Sequence, residues 1–148
     1  GPGPGREYWQ IVRDDGTTYT YGRGAVQWGV RWGNWIGPST AADGVSFPVA
    51  WNLHEVRSMA GDTMSFAYDT DDVAIGVGTD AWYSRSCRLR RIVDVFGRAV
   101  EFTYLLKEPF EAPAPQVPPP GGRNAYQYRL DDHYLDRIAS GTARVLCC

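Results

Sequence analysis

A chain of 148 residues with a formal net charge of −2 and interspersed acid and base has no electrostatic footprint for nucleic acid or an anionic lipid surface. It holds no apolar run of 18 residues to span a membrane, and its three cysteines, a lone Cys87 and the adjacent Cys147 and Cys148, make neither a disulfide framework nor a zinc spacing. Aromatic residues at 14 %, frequent glycine and no sustained 3.6-residue apolar period predict a mainly β fold, with about two-thirds of the unfolded surface buried.

Residues 1 to 7 are Gly/Pro-rich, predicted extended or disordered, and carry neither an initiator Met nor the apolar core of a signal peptide. The expectation is a piece of a longer protein. From residue 8 to 148 the chain reads as one β-repeat region. Its first hairpin, near 8–22, places Tyr8, Ile11 and Gly16 before Tyr19-Thr-Tyr21, with Asp15-Gly16 as the turn. Trp28, Trp32 and Trp35 follow among glycines that argue against a helix, so the stretch to Gly44 is predicted to be an ordered loop. Its indoles fit two descriptions: an aromatic platform for a glycan or protein surface, or plugs over the edge of the β core.

The clearest pattern runs through 51–68, where Leu53, Val56, Gly61, Phe66 and Tyr68 fill a frame that recurs 36 residues later. In the copy at 88–106 the same places are taken by Leu89, Ile92, Gly97, Phe102 and Tyr104, with every internal spacing kept. The frame predicts a hairpin: a turn at the glycine, then an alternating strand with one buried face. The Leu-x-x-Val spacing breaks strict alternation and predicts a bulge or a change of strand between those two residues. Asp69, Asp71 and Asp72, between the copies, invite a calcium reading but lack the sixth-position Gly and distal Glu of that loop type, which leaves a solvated turn. Arg88, Arg90, Arg91 and Arg98 beside Asp94 and Glu101 predict an ion-paired face. A Pro-rich insertion at 107–123 lengthens the Leu-to-Leu interval to 46 residues, Tyr126, Tyr128 and Leu130 suggest one strand face, and Leu135 with Ile138 opens a truncated copy. Self-similarity at a fixed period predicts repeated antiparallel hairpins that cannot bury their apolar faces singly.

Signs of catalysis are absent: no nucleophile elbow, metalloprotease helix or phosphate-binding loop occurs, Gly76-x-Gly78 is too short for a dinucleotide fingerprint, and His54 and His133 have carboxylate neighbours only at adjacent positions. The expectation is a non-catalytic chain without cofactor or metal.

Asp94-Val-Phe-Gly97-Arg98 followed by Phe102-Thr-Tyr104 resembles the D-x-x-G-R-x-x-x-[YF]-x-Y signature of RHS/YD repeats, and Phe66-Ala-Tyr68-Asp69 supplies a Tyr-Asp. The order Asp15-Gly16-Thr-Thr-Tyr19-Thr-Tyr21, a loop, then Trp51-x-Leu53-x-x-Val56 is similar to the region where SpvB-like and insecticidal Tc-toxin B components pass into their YD-repeat shell. Over roughly residues 8 to 140, the resemblance implies a segment of a bacterial toxin or virulence protein, secreted or at the cell surface. In it a curved strip of hairpins, with long Gly/Trp and Pro-rich loops, forms part of a shell around a cargo polypeptide. Its implied partners are the rest of a larger YD-repeat chain and that cargo, and open strand edges predict self-association of the isolated piece. Ser58 departs from the pattern by standing where the repeat carries Asp, and no self-cleavage residue is carried over. The alternative is an extracellular carbohydrate- or protein-binding β module that uses Trp28, Trp32 and Trp35.

Overall fold

Three of the tight turns share one chemistry. In each, a residue three before a glycine accepts the glycine N–H on its carbonyl and donates its own N–H to the residue after that glycine: Arg13 with Gly16 and Thr17, Ser58 with Gly61 and Asp62, Asp94 with Gly97 and Arg98, all at 2.9 to 3.0 Å. The glycines stand at φ of +78, +93 and +79°, a conformation that costs an L side chain about 1–2 kcal/mol, so the turn type selects the residue.

These turns organise a computed structural model that describes residues 7–31, 45–74, 82–107, 133–141 and 143–146. The strands are β1 (Tyr8–Val12), β2 (Thr18–Arg31), β3 (Val45–Arg57), β4 (Thr63–Ala74), β5 (Trp82–Val93), β6 (Ala99–Leu106), β7 (His133–Ser140) and β8 (Ala143–Leu146). They form one antiparallel sheet in chain order, with β1 and β8 as its edges. The fold is mainly β, and no helix among the described residues is long and apolar enough to cross a membrane.

Pairing along the sheet is uneven. Three long ladders, β2 with β3, β4 with β5 and β6 with β7, make three arms; β3 with β4 and β5 with β6 are joined beside their turns by three residue pairs each. Beyond those short ladders the strands part, and the outer half of the first arm leans on the second so that β2 lies against β5. That contact holds the buried core: Ala25, Val26 and Trp82, with Ser84 at 1 % exposure.

Three expectations need correction. The Gly/Trp-rich stretch is strand as far as Arg31, because Gly22, Arg23 and Gly24, all at positive φ (97, 50 and 94°), form a wide bulge after which Val26 resumes pairing opposite Trp51. Gly22 itself is fixed by a close approach, since a Cβ there would lie 2.5 Å from the Glu7 carbonyl oxygen. Asp69, Asp71 and Asp72 lie in β4 rather than in a turn: they pair in register with Arg88, Ser86 and Ser84. Tyr8 does not match the Leu of the frame, because β1 pairs with β2 without a bulge and Trp9 therefore shares the face of Ile11. The copy that opens at Leu135 runs on into a short strand, β8, paired with β7, whose residues Ala143–Leu146 carry no aromatic-x-Tyr. The Pro-rich segment beyond Lys107 and the Tyr126–Leu130 strand fall outside the described residues.

Candidate interaction face

The frame residues meet across the ladders in a fixed order. Phe66 and Tyr68 pair with Ile92 and Leu89, and Phe102 and Tyr104 pair with Ile138 and Leu135. Tyr19 and Tyr21 pair in the same way with Val56 and Leu53. Each aromatic-x-Tyr strand of one copy is thus matched to the Leu-x-x-Val/Ile strand of the next.

The odd spacing of that second motif is resolved by the expected bulge, which occurs in all three ladders. Register slips between Thr20 and Tyr21, Ala67 and Tyr68, and Thr103 and Tyr104, leaving His54, Arg90 and Asp136 as the extra residues. Residues three apart in a regular strand face opposite ways; one inserted residue restores parity and puts Leu and Val/Ile on one side. Along β4 and β6 the pairing also steps by two residues, since Met64 faces Val56 while Phe66 faces Ile92, and Val100 faces Ile92 while Phe102 faces Ile138. That is a stagger of about 7 Å per copy. The first hairpin omits it: Tyr19 faces both Ile11 and Val56, which explains why its aromatic pair comes two residues early.

Leu53, Val56, Phe66, Tyr68, Leu89, Ile92, Phe102 and Tyr104 are all half-buried, so the frame makes a continuous apolar face rather than a sealed core. Tyr104 has a further task. Its hydroxyl donates to the Leu89 carbonyl at 2.7 Å, satisfying backbone where β5 and β6 have separated. Burial, followed by the nearby Cys87, raises the phenol of Tyr68.

At its turn the third copy is locked by Asp94. Its carboxylate accepts the N–H groups of Phe96 and Arg98 at 2.9 Å each and the Arg98 Nε at 2.6 Å, while the guanidinium stacks 5.2 Å from the Phe96 ring centroid. Desolvation opposes the charge, but the hydrogen bonds from Arg98 and Phe96 outweigh it and hold the carboxyl below the ordinary Asp value. Ser58 does the corresponding work in the second copy, its Oγ accepting the Asp62 N–H at 3.1 Å. The D-x-x-G-R pattern is thus a turn lock, and serine is a workable substitute for its acid.

Arg91 pairs with the cross-strand Glu101 at 2.9 Å and alternates with Ile92, and Arg57 with Glu55 at 3.1 Å alternates with Val56, which puts these ions on the face opposite the apolar one. Arg90 reaches Asp69 at 3.4 Å. Exposed pairs of this kind contribute at most about 1 kcal/mol each.

Where the arms meet, Trp28 and Trp82 pack with ring centroids 5.0 Å apart. The Trp28 N–H donates to Ser84 Oγ at 2.9 Å, and that hydroxyl donates to Asp72 Oδ1 at 2.8 Å. Ser46 Oγ accepts the Trp82 N–H at 2.9 Å and donates to the Trp82 carbonyl at 2.7 Å. Arg85 pairs with Asp71, and Asn52 donates to Cys87 Sγ at 3.2 Å. Burial pushes the Cys87 thiol up to about 11, so it is not an activated nucleophile. Of the three tryptophans singled out in the sequence, Trp28 is half-buried in this contact, and Trp32 and Trp35 lie outside the described residues. Ser46 and Ser84 carry no mark of these roles in the sequence, because a serine inside a strand gives no signal of its own. Trp82 is equally silent, at the start of β5 and ahead of its frame residues Leu89 and Ile92.

Among the described residues no group of three His, Cys, Asp or Glu is placed to hold a metal ion. Comparison of the chain with protein-family models, curated proteins and solved structures finds no match.

Proposed function

We propose that the chain is a non-catalytic wall segment of an RHS/YD-repeat protein of the toxin type, part of a bacterial shell, secreted or at the cell surface, that encapsulates or delivers a cargo polypeptide. The observation that carries this reading is the matching rule: every aromatic-x-Tyr strand is met by the Leu-x-x-Val/Ile strand of the next copy through one bulge. Such a rule propagates, since each added copy presents the motif that the following one needs. The stagger and bulge repeated in the second and third copies bias a growing strip toward coiling, as shear does in closed sheets. The two faces fit a wall as well, with ion pairs on one side and a half-exposed aromatic and aliphatic side on the other. The neighbouring strands of a longer chain and the cargo would be its partners.

Duplicating the 36-residue unit Ser58–Val93 in tandem tests the reading, because the copied Leu89 and Ile92 run directly into the copied Ser58 turn. A propagating wall yields one cooperative transition with a larger denaturant dependence and a proportionate gain in slowly exchanging amides. An unchanged denaturant dependence, with the added unit exchanging as free chain, would defeat it.

A further inference from the structure

We propose that the two arms, β2–β3 and β4–β5, form a clasp that opens about the short β3–β4 ladder while the turn-side sheet stays intact. The grounds are in how the arms are joined. The hinge is three residue pairs, Glu55 with Ser65, Val56 with Met64 and Arg57 with Thr63. Outside it, among the described residues, two hydroxyls and the Asn52 amide on Cys87 Sγ stand in place of a backbone ladder. Ser46 makes both bonds to Trp82 that a hydrogen-bonded residue pair would otherwise make, accepting its N–H and donating to its carbonyl. Ser84 accepts the Trp28 N–H, at a position where β2 faces Pro48 and the register has just slipped. Proline has no N–H to offer, so the ladder is already weakened there.

Ser84 is the tightest point of the clasp. It is 1 % exposed and holds one donor and one acceptor at once, Trp28 N–H and Asp72 Oδ1. Removing its oxygen leaves the part-buried Trp28 N–H without this acceptor, a loss borne by the closed state alone, because in the open state water replaces it. The turn-side bonds, Gly16 N–H to Arg13, Gly61 N–H to Ser58 and Gly97 N–H to Asp94, share no atom with the clasp. Opening therefore has a defined signature: it frees the Trp28 and Trp82 amides together and exposes both indoles, without touching the turns.

Native-state hydrogen exchange of the full chain decides the matter. In the unaltered protein the Trp28 and Trp82 amides are expected to exchange with a weaker denaturant dependence than the inner β4–β5 amides of Phe66 and Ile92. Ser84→Ala should speed Trp28 and Trp82 by the same factor, tenfold or more, and leave Phe66 and Ile92 within about twofold. Ser46→Ala should do the same, with the larger effect at Trp82. The proposal is overturned if all four amides accelerate equally, if neither tryptophan amide responds, or if Ser84→Ala fails to fold, since a clasp that opens separately is not needed by the rest of the sheet.

Discussion

The turn-side half of the sheet and its outer arms are built on different principles. Beside the turns the chain is repetitive: the same glycine geometry, the same bulge and the same matching of aromatic-x-Tyr to Leu-x-x-Val/Ile recur, and the frame side chains stay half-buried. In the arms the repeat is lost. Yet among the described residues most side chains sealed from water lie here, Ala25, Val26, Trp82 and Ser84, with Thr20 buried beside the turns, and none of them belongs to the frame. Repeats encode how strands join, whereas burial was settled by residues particular to this stretch. A face left half-open in every copy is what a repeat architecture produces when the burying layer is supplied by something other than the copies described.

The difference can be broken most severely at Gly22, where the two halves meet. A Cβ at this position, at φ +97°, would sit 2.5 Å from the Glu7 carbonyl oxygen and 3.0 Å from Trp51 Cδ1. Backbone strain and steric conflict add, so Gly22→Val should destabilise by more than about 3 kcal/mol in equilibrium denaturation. At Gly97 a Cβ meets nothing within 4 Å, and Gly97→Ala carries only the left-handed penalty of about 1–2 kcal/mol. If the two cost the same, close approach is not what distinguishes the bulge from the turns.

Next comes the contrast between core and face. Trp82→Ala removes a buried ring in contact with Trp28 and should cost about 3–5 kcal/mol. Phe102, in the most regular copy, is half-exposed, and Phe102→Ala should cost roughly half as much, about 1–2 kcal/mol. Equal losses would mean that the apolar face is covered in solution, in which case the Phe102 loss should fall on dilution if the cover is a second copy.

Much of this was legible in the residues, and the limits are physical. Gly61, Gly97, Phe102 and Tyr104 announce a hairpin because turn sterics and strand alternation are local, and Leu53-x-x-Val56 announces a break in parity that the pairing register resolves as a bulge. Strand length was not local. β2 continues through Gly22 and Gly24 because β3 pairs with it from afar, and β4 continues through Asp69, Asp71 and Asp72 because Arg85 and Ser84 answer two of those carboxylates. A count of turn formers reads both stretches as loops. The seam was illegible for a stronger reason: Ser46 and Ser84 join the arms through Trp82 and Trp28, 36 and 56 residues away.

Smaller effects belong to the turn locks. The Asp94 carboxyl is held below its ordinary value, so its contribution is present above the unfolded-state value near 3.8 and is lost as pH falls through the depressed one. Asp94→Asn should lower the denaturation midpoint slightly at pH 7 and by progressively less as the pH falls below the ordinary Asp value, narrowing the gap between wild type and variant on the acid side. Ser58→Asp tests the same lock from the second copy. It restores the repeat acid but sets it beside Asp62 in place of an arginine, so it should gain less than the pattern suggests, or nothing.

The smallest expected effect lies where the two halves join along β5, two residues before the frame leucine. Cys87 accepts a hydrogen bond from Asn52 of the neighbouring arm, and burial leads the causes that push its thiol from 9.0 up to about 11. At pH 8 only about one thiol in a thousand is then ionised, and the thiolate is the reactive form. With Cys147 and Cys148 replaced by serine, the rate of alkylation by iodoacetamide should climb about tenfold per pH unit from 7 to 10 and level off near 11. Asn52→Ala removes a donor that favours the thiolate, so it should shift that curve slightly upward in pH if the arms remain closed. A plateau already reached by pH 9 would mean that Cys87 is wetted by solvent. In that event the boundary between the half-open repeat face and the sealed arms lies farther out along β5, between Cys87 and Ser84.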